Sequence, residues 1–488
     1  MEREQTRSSR IGRWIDPQVG AHQGRSGFRL LATGVDAFVA RAVLIELADR
    51  TLDLQYYIFH GDTTGSIVID RLIAAADRGV RIRLLLDDWG TLEKKDVVVA
   101  GLDAHPNIAI RLFNPYVHRS GLGKLGELVT RFARVNRRMH NKQLIADGVA
   151  VVLGGRNIGD EYFGAGELEF QDVDVLGVGP VVGEAGATFE AYWNSEFAKP
   201  ITALGQFTVD PAVFDVKRLE LRERVTGLMD SPYARALAQS ELAGDLRAQT
   251  VRLHWAEAAM FADPPGKVTE PVGTRSAGYL GARIAAAARA AQSELLIVSP
   301  YFVPGRAGVA SIAARGRDGL TVRILTNSLA ATDVWLVHAG YRKYRRPLLE
   351  QGVRLYELKP SAGGPPRPKG TAGSSRASLH GKTFVFDRSS VFIGSVNLDP
   401  RSLEQNTEDG VLVRSIELAS EVARLFEQWA GPAVAYEVRP AGGMTGAPLE
   451  WIGSSDGQVV RFRHEPEAGF WRRLGAAVFS RLPIDRLI

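Results

Sequence analysis

The pattern of apolar and polar positions repeats along the chain. Residues 52–88 and residues 295–328 each contain a short apolar run, a polar loop, a segment with apolar residues at a period of 3.6 and a second apolar run. The apolar runs LDLQYYI, VRIRLLL, ELLIVS and TVRILT are rich in leucine and β-branched residues, which predicts buried strands, and the periodic segment predicts a helix. Two βαβ units with parallel strands are therefore expected.

A second repeat follows each unit and carries polar residues at fixed intervals. The motif HxKxxxxDxxxxxxGGxN begins at residue 140, and HxKxxxxDxxxxxxGSxN begins at residue 380. The matching residues are His140 with His380, Lys142 with Lys382, Asp147 with Asp387, Gly154 with Gly394, Gly155 with Ser395 and Asn157 with Asn397. A single HxK on a strand is usually surface decoration, but its duplication at corresponding places indicates function.

The two histidines suit chemistry on a phosphodiester. One neutral imidazole can attack phosphorus and form a phosphohistidine, while the other, protonated, donates to the departing alkoxide. Because neither motif alone contains both groups, His140 and His380 are predicted to face one cleft at the junction of the halves, less than roughly 10 Å apart. Spacing alone leaves open which histidine is the nucleophile.

The other motif residues supply charge and hydrogen-bond donors. Lys142 and Lys382 provide positive charge for the phosphate oxygens, and the amides of Asn157 and Asn397 provide neutral donors. This scheme needs no metal and no other cofactor. Alternation along the sequence HNKQLIAD predicts that the first histidine and lysine share one face of a strand.

The motif glycines and aspartates have roles of other kinds. Glycine at positions 154, 155 and 394 is expected to let the backbone approach the phosphate closely, since no Cβ intervenes. Asp147 and Asp387 belong to the motif and are candidate site residues. An Asp before GV or RS is also a common turn residue between strands, which favours a structural role for both.

Length and composition limit the class of protein. A chain of 488 residues with 45% hydrophobic and 24% charged residues is predicted to be globular with more than one domain. The absence of cysteine excludes disulfides, thiolate metal sites and a cysteine nucleophile. A net charge of +5 favours anionic partners only weakly on a chain of this length.

Membrane contact, if present, is expected to be peripheral. The first 18 residues are polar and lack the apolar core of a secretory signal, so no export is predicted. The longest apolar runs, such as VAVVLG, fall far short of the roughly 20 residues that a spanning helix needs.

The repeats predict four regions. Residues 1–200 form a first half, 201–270 a charged helical linker, 271–435 a second half, and 436–488 a tail with an amphipathic helix. The sequence of residues 360–378 is rich in Pro, Gly and Ser and predicts a mobile loop before His380. This loop is either a lid or an insertion without function.

The duplicated motif resembles that of the phospholipase D superfamily. Together with GGRNIGDEYFGAG, SPYFVPGRAGV, VHAGYRKYR and NLDPRS, it resembles the bacterial cardiolipin synthases, in the subgroup without amino-terminal transmembrane helices. The resemblance extends from about residue 24 to the end of the chain. It implies an α/β fold of two similar phospholipase D-like halves, each a mixed β-sheet flanked by helices, related by a pseudo-twofold axis with the active site at their junction.

The resemblance also implies roles for further residues. In the family a carboxylate downstream of each motif orients the imidazole, and its counterparts here are Asp172 and Glu408, with Asp174 as a competing choice. A carboxylate on the ring nitrogen remote from phosphorus fixes the tautomer and stabilises the imidazolium. By the same resemblance His140 is the expected nucleophile.

The implied activity is phosphatidyl transfer between phospholipids, forming cardiolipin from phosphatidylglycerol and a phospholipid donor. The expected partners are phospholipids and an anionic membrane surface; nucleic acid is not expected, and a protein partner is left open. The expected location is peripheral, on the cytoplasmic face of a bacterial inner membrane. A hydrolase or nuclease of the same superfamily is the alternative, and a lipid-binding protein without catalysis is a third class.

Two amphipathic segments bear on membrane contact. Residues 120–140 place apolar positions on one predicted helical face with arginines around it, and residues 469–488 do the same. The apolar positions are Leu122, Leu125, Val129, Phe132 and Val135 in the first segment, and Phe470, Trp471, Leu474, Val478 and Leu482 in the second. Each segment is either an interfacial anchor or an ordinary surface helix packed on the core.

Overall fold

The structure is a computed structural model of the chain. It describes residues 8–90, 101–116, 136–166, 168–204, 211–274, 276–363, 376–444 and 446–482. Residues 120–135 of the first predicted amphipathic segment and residues 364–375 of the predicted loop lie outside this part of the chain.

Helices and strands alternate through both halves. The helices are α1 (Arg10–Ala21), α2 (Gly34–Leu47), α3 (Thr63–Asp77), α4 (Asp160–Phe163), α5 (Pro180–Trp193), α6 (Pro211–Leu228), α7 (Pro232–Ala238), α8 (Glu241–Ala248), α9 (Leu280–Ala290), α10 (Gly305–Arg317), α11 (Trp335–Arg342), α12 (Arg345–Glu350), α13 (Pro400–Glu404), α14 (Ile416–Trp429) and α15 (Phe470–Phe479). The strands are β1 (Ser26–Leu31), β2 (Thr51–Ile58), β3 (Arg81–Gly90), β4 (Ile108–Phe113), β5 (Gln143–Ala146), β6 (Ala150–Gly154), β7 (Leu168–Gln171), β8 (Asp174–Val178), β9 (Ala198–Pro200), β10 (His254–Ala262), β11 (Glu294–Val298), β12 (Thr321–Asn327), β13 (Arg354–Leu358), β14 (Arg376–Leu379), β15 (Thr383–Phe386), β16 (Ser390–Gly394), β17 (Asp409–Arg414), β18 (Ala435–Pro440), β19 (Leu449–Ser455) and β20 (Gln458–Phe462).

Both predicted βαβ units are confirmed. Strands β2 and β3 are parallel neighbours joined through α3, and β11 and β12 are parallel neighbours joined through α10. Helix α3 begins where the Asp62 side chain accepts a hydrogen bond from the Gly65 N–H, which satisfies one of the free donors of the first turn.

Of the strands in the described residues, all except β7 and β14 form one continuous sheet, with the same order on each side of its centre. The first half runs β9-β4-β3-β2-β5-β6-β8-β1, and the second runs β10-β17-β16-β15-β11-β12-β13-β18-β19-β20. Strands β1 and β10 pair antiparallel at the junction, so that corresponding elements lie on opposite sides of it. The predicted fold class, two similar mixed α/β halves, is confirmed.

The halves also share contacts away from the central sheet. Strand β7 of the first half pairs parallel with β14 of the second, and Met139 forms an isolated bridge with Thr407. Val175 and Val411, one from each half, belong to the same buried apolar cluster. Since this cluster spans the junction, packing fixes the two motifs relative to each other.

Two predicted regions contain more structure than expected. The predicted helical linker, residues 201–270, is helical through α6, α7 and α8 but then forms β10, the first strand of the second sheet half. The predicted tail adds β19 and β20 to the sheet before α15 begins. Among the residues that the structure describes, no helix is both long enough and apolar enough to cross a bilayer.

Candidate active site

The motif histidines lie at the junction, each held by backbone of the other half. The backbone N–H of His140 donates to Thr407 O at 2.8 Å, and that of His380 donates to Gln171 O at 2.9 Å. The sequence had predicted that His140 and Lys142 lie within a strand. In the structure β5 begins at Gln143, so both residues lie in the segment before it.

His140 contacts a carboxylate of the second half. Its Nδ1 lies 2.8 Å from Glu408 Oε2 and 3.1 Å from the carbonyl oxygen of Ser395. Both neighbours are acceptors, so Nδ1 carries the proton and Nε2 keeps its lone pair. The ring of Tyr57 packs edge-on against the imidazole at 5.1 Å.

His380 contacts a carboxylate of the first half. Its Nδ1 lies 2.6 Å from Asp172 Oδ2. The imidazole stacks on Phe170, with ring centroids 5.0 Å apart, and meets the edge of Tyr162 at 5.1 Å. Each imidazole is therefore oriented by a carboxylate from the opposite half.

The competing choice for the first of these carboxylates has a different role. Asp174 Oδ2 lies 2.9 Å from Arg41 Nη1, and its Oδ1 accepts from the backbone N–H of Arg156. Asp174 and Arg41 are fully buried. The position expected from the resemblance, Asp172, is the one that contacts a histidine.

The motif lysines lie beside the histidines and are buried. Lys142 Nζ donates to His140 O at 2.5 Å, and Lys382 Nζ lies 3.0 Å from His380 Nδ1 and also donates to His380 O. Burial lowers the pKa of Lys142 to about 7 and that of Lys382 to about 8. A bound phosphodiester anion would favour the charged form of both ammonium groups.

The imidazoles are neutral near pH 7. Burial, followed by the Lys382 charge, lowers the pKa of His380 to about 4, and burial with both lysine charges lowers the pKa of His140 well below its usual value. Because the two lysines act on both histidines, the motifs form one electrostatic unit. His140 and His380 are 9% and 8% exposed, which leaves their rings accessible from one side.

The carboxylates of the site differ from one another. Burial raises the pKa of Glu408 to about 7 and that of Asp409 to about 7, and Lys142 opposes both shifts. Burial acts on Asp172 in the same direction, but His380, Lys382 and Arg156 hold the pKa of that carboxyl well below its usual value. Asp172 is thus ionised, whereas Glu408 and Asp409 take up protons near neutral pH.

The two motif aspartates are not part of this cluster, contrary to their prediction as catalytic candidates. The Asp147 carboxylate accepts hydrogen bonds from the backbone N–H groups of residues 49, 50 and 51. The Asp387 carboxylate accepts from those of residues 292, 293 and 294. Each therefore caps the start of a neighbouring strand, at the end of β5 or β15 remote from the histidine, which agrees with the structural role that the turn sequence favoured.

The two motif asparagines differ in their contacts. Asn157 accepts from the Ile58 N–H at 3.1 Å and donates to Tyr162 Oη at 2.9 Å. Asn397 Oδ1 is buried and has no hydrogen-bond partner among the described residues. Phosphate binding by either amide stays a prediction.

The motif glycines make room for protein groups rather than for phosphate. A Cβ on Gly155 would lie 2.2 Å from Asp172 Oδ1, and one on Gly154 would lie 2.2 Å from Asp174 Oδ1. A Cβ on Gly394 would lie 2.3 Å from Asp409 O. These glycines therefore permit the close approach of the chain segments that carry Asp172, Asp174 and Asp409.

Some neighbours of the histidines were missed in the sequence, and the contact made by the motif residue Ser395 was not predicted. Ser395 Oγ donates to Glu408 Oε2 at 2.5 Å, and Asp409 Oδ1 accepts from the Lys142 N–H at 3.2 Å. The aromatic residues on the two histidines, such as Tyr57, lie in other elements. A signal existed only for Asp409, which directly follows Glu408. Within the described residues, no group of three or more His, Asp and Glu side chains is arranged to hold a metal ion.

Known proteins resemble this chain over most of its length. A family model described as "Cardiolipin synthase, PLD-like domain" matches residues 42–193 and 284–430. Cardiolipin synthase C of Escherichia coli is 40% identical over 489 residues, covering 98% of this chain and 100% of that relative. Cardiolipin synthase A of Pseudomonas syringae is 26% identical over 404 residues, covering 82% of this chain and 67% of that relative.

A solved structure shares the fold. The crystal structure of phosphatidylserine synthase from Haemophilus influenzae superposes with a TM-score of 0.59 at 13% identity, covering 97% of this chain and 98% of that one. The duplicated motif, the paired halves and the full-length similarity agree. The chain belongs to the PLD-like cardiolipin synthase family.

Proposed function

We propose that the protein is a phosphatidyltransferase that forms cardiolipin from phosphatidylglycerol and a phospholipid donor through a phosphohistidine intermediate. One observation carries the proposal: two neutral imidazoles, each bound at Nδ1 by a carboxylate of the opposite half, flank two buried lysines. This set provides a nucleophile, a proton carrier and positive charge for a phosphodiester.

The first step breaks the donor headgroup bond. Nε2 of one histidine attacks phosphorus, a P–N bond forms, and the bond from phosphorus to the headgroup oxygen breaks. The second histidine is neutral in the free site and takes up a proton at Nε2 from solvent when the phosphodiester anion binds. It gives that proton to the leaving oxygen, which departs as an alcohol. Lys142 and Lys382 balance the charge that develops on the non-bridging oxygens.

The second step reverses the proton transfer. The second histidine takes a proton from a glycerol hydroxyl of phosphatidylglycerol, whose oxygen attacks phosphorus as the P–N bond breaks. The products are cardiolipin and the free first histidine. If water replaces the glycerol hydroxyl, the same step yields phosphatidic acid.

The asymmetry of the site favours His140 as the nucleophile. His380 contacts Asp172, an ionised carboxylate that stabilises an imidazolium, so His380 suits the acid and base role. Glu408, the partner of His140, has a pKa of about 7 and supports a positive charge less well. Burial lowers the pKa of His140 well below its usual value, so His140 suits attack as the neutral imidazole.

The carboxy-terminal helix supports peripheral contact with an anionic membrane. Along α15 the side chains of Phe470, Trp471, Leu474 and Val478 are 62%, 78%, 44% and 48% exposed. Nearby Arg473 and Arg481 complement an anionic surface. We assign this contact to the cytoplasmic face of a bacterial inner membrane.

Product analysis tests the function. Purified protein is incubated with vesicles of phosphatidylglycerol labelled in the terminal glycerol, and separately with an oligonucleotide. Cardiolipin and free glycerol in equal amounts are expected, with the double variant H140A/H380A as the inactive control. Phosphatidic acid as the main lipid product would instead indicate a hydrolase, and cleavage of the oligonucleotide a nuclease.

A further inference from the structure

A basic groove lies in the second half, apart from the motif residues. It is a cavity of about 820 Å³ between α10, α12 and the residues that follow α15. Its basic lining residues are Arg306, Arg317, Lys343 and Arg481, and its single acidic lining residue is Glu350. This charge excess suits a monoanionic or dianionic ligand.

The three arginines of the groove are available to a ligand. Arg306, Arg317 and Arg481 are exposed, and the described part of the chain offers none of them a carboxylate within 4.0 Å. The guanidinium group presents several donors in one plane and binds phosphate oxygens well. Apolar residues of the groove, Val309, Pro347 and Leu482, lie among these charges.

The groove adjoins the exposed helix. Helix α15 packs on α11 through Ala476 and through an edge-on contact between Phe479 and Trp335 at 5.3 Å. The opposite side, with Trp471 and Leu474, faces outward. Arg481 follows the last turn of α15, so a helix lying flat on a bilayer brings the groove to the level of the lipid headgroups.

We propose that this groove binds the phosphate of an anionic phospholipid headgroup in the membrane on which α15 lies, at a second lipid site distinct from the active site. The inference rests on the membrane contact under the proposed function. A headgroup held by three guanidinium groups would anchor the protein in one orientation, with the apolar face of α15 toward the acyl chains.

Vesicle binding by matched variants tests the site. The double variant R306Q/R317Q removes two charges from α10, and the control R222Q/R247Q removes two exposed charges from α6 and α8 of the linker. Binding is measured by sedimentation on phosphatidylcholine vesicles with increasing phosphatidylglycerol. The groove variant should bind anionic vesicles about thirtyfold more weakly, given the usual effect per basic residue, and the control less than about threefold.

Further readings separate the possible outcomes. R481Q, which lies outside α10, should weaken binding about fivefold. Soluble glycerophosphoglycerol should compete with vesicles for the wild type but not for the groove variant. Equal losses of vesicle binding in the two double variants would show that the effect comes from general surface charge. Displacement of the protein from vesicles by millimolar inorganic phosphate alone would indicate a site for free anions. Either result overturns the inference.

Turnover of monomeric short-chain phosphatidylglycerol keeps this inference separate from the proposed function. The groove variant should retain wild-type turnover, because none of the motif residues lines the groove. If the wild type makes no cardiolipin while the groove variant alone loses vesicle binding, the function fails and the lipid site stands. If the wild type makes cardiolipin and the groove variant binds vesicles as well as the wild type does, the proposed function stands and the lipid site fails.

Discussion

His140 and His380 occupy corresponding positions in the two halves, and the same backbone contact holds each of them. Their carboxylate partners differ: His380 has Asp172, which is ionised, and His140 has Glu408, whose pKa is about 7. Duplication of a motif has therefore produced two imidazoles in one site with unequal ability to carry a proton. In the proposed mechanism this inequality assigns the nucleophile to one imidazole and the acid and base role to the other.

The glycine or serine of each motif accounts for part of the difference. Gly155 leaves space that the shorter Asp172 enters, since a Cβ would come within 2.2 Å of its Oδ1. In the second half the longer Glu408 accepts a hydrogen bond from Ser395 at the corresponding position. The pair Gly155 and Asp172 orients one imidazole, and the pair Ser395 and Glu408 orients the other.

The neighbouring aspartates differ as well. Asp174 is neutralised by the buried Arg41, whereas Asp409 has no salt-bridge partner within 4.0 Å among the described residues and instead lies near Lys142. The acids Glu408 and Asp409 come from the second half and the compensating lysine from the first. Lys142 of the first half therefore partly offsets the buried acids of the second half.

The largest effect is expected from removing either histidine. His140→Ala should lower turnover by at least about 10⁴-fold with any leaving group, because no P–N bond forms. His380→Ala should cost about 10²–10⁴-fold with phosphatidylglycerol and much less with a p-nitrophenol ester, whose departure needs no acid. Rapid-quench trapping with labelled lipid should locate the label on residue 140 of the His380→Ala protein. Label on residue 380 of the His140→Ala protein would reverse the roles.

Neutralising the two carboxylates should give unequal losses. Asp172→Asn should lower kcat about 10³-fold, because the amide leaves the His380 imidazolium without its counter-charge. Glu408→Gln should cost only about tenfold, since the carboxyl is already partly protonated near pH 7. Steady-state kinetics of both variants at one pH measures the ratio. Equal losses would contradict the division of roles.

Exchanging the small residues tests their pairing with the carboxylates. Gly155→Ala should lower turnover roughly tenfold to a hundredfold, because its Cβ displaces Asp172 from His380. Ser395→Gly should cost less, about threefold to tenfold, by removing one hydrogen bond to Glu408. Comparing kcat and thermal unfolding for both variants distinguishes misorientation from loss of stability, and the larger loss is expected at residue 155.

The pH profile should have an alkaline limb set by the lysines. Their pKa values are lowered to about 7 and about 8, so the free site is cationic below this range and loses charge as the pH rises through it. We expect kcat/KM to fall about tenfold per pH unit between pH 7 and 8, where the first lysine loses its proton, and about a hundredfold per pH unit above pH 8, where both do. Lys382→Arg, whose side chain stays charged, should reduce the fall above pH 8 to about tenfold per pH unit, because only Lys142 then titrates. A flat profile to pH 10 would exclude titration of these groups.

The sequence predicted the residue types of the site but not their pairing. His380 contacts Asp172 across 208 positions, and His140 contacts Glu408 across 268 positions, which depends on the cross-half pairing of β7 with β14 and of Met139 with Thr407. No local pattern encodes such contacts. Strand β10 was missed for a local reason, because its sequence HWAEAAMFA is rich in alanine rather than in β-branched residues.

The smallest effect on turnover is expected at the motif aspartates. Asp147→Ala and Asp387→Ala each remove an acceptor of three backbone N–H groups at the start of a strand, without touching the histidines. Asp147 is fully buried, so its loss should cost about 2–3 kcal/mol of unfolding free energy, while the more exposed Asp387 should cost about 1 kcal/mol. Chemical unfolding and kcat are measured on the same preparations.

The pH dependence of stability separates Asp387 from a catalytic group. Backbone N–H donors outweigh partial burial and lower the pKa of its carboxyl in the folded protein. The stabilisation is therefore present above the carboxyl's ordinary pKa and is lost as the pH falls through the lowered value. The difference in unfolding free energy between the wild type and Asp387→Ala should shrink in acid while kcat stays equal at pH 7. A large fall in kcat with unchanged stability would return both aspartates to the active site.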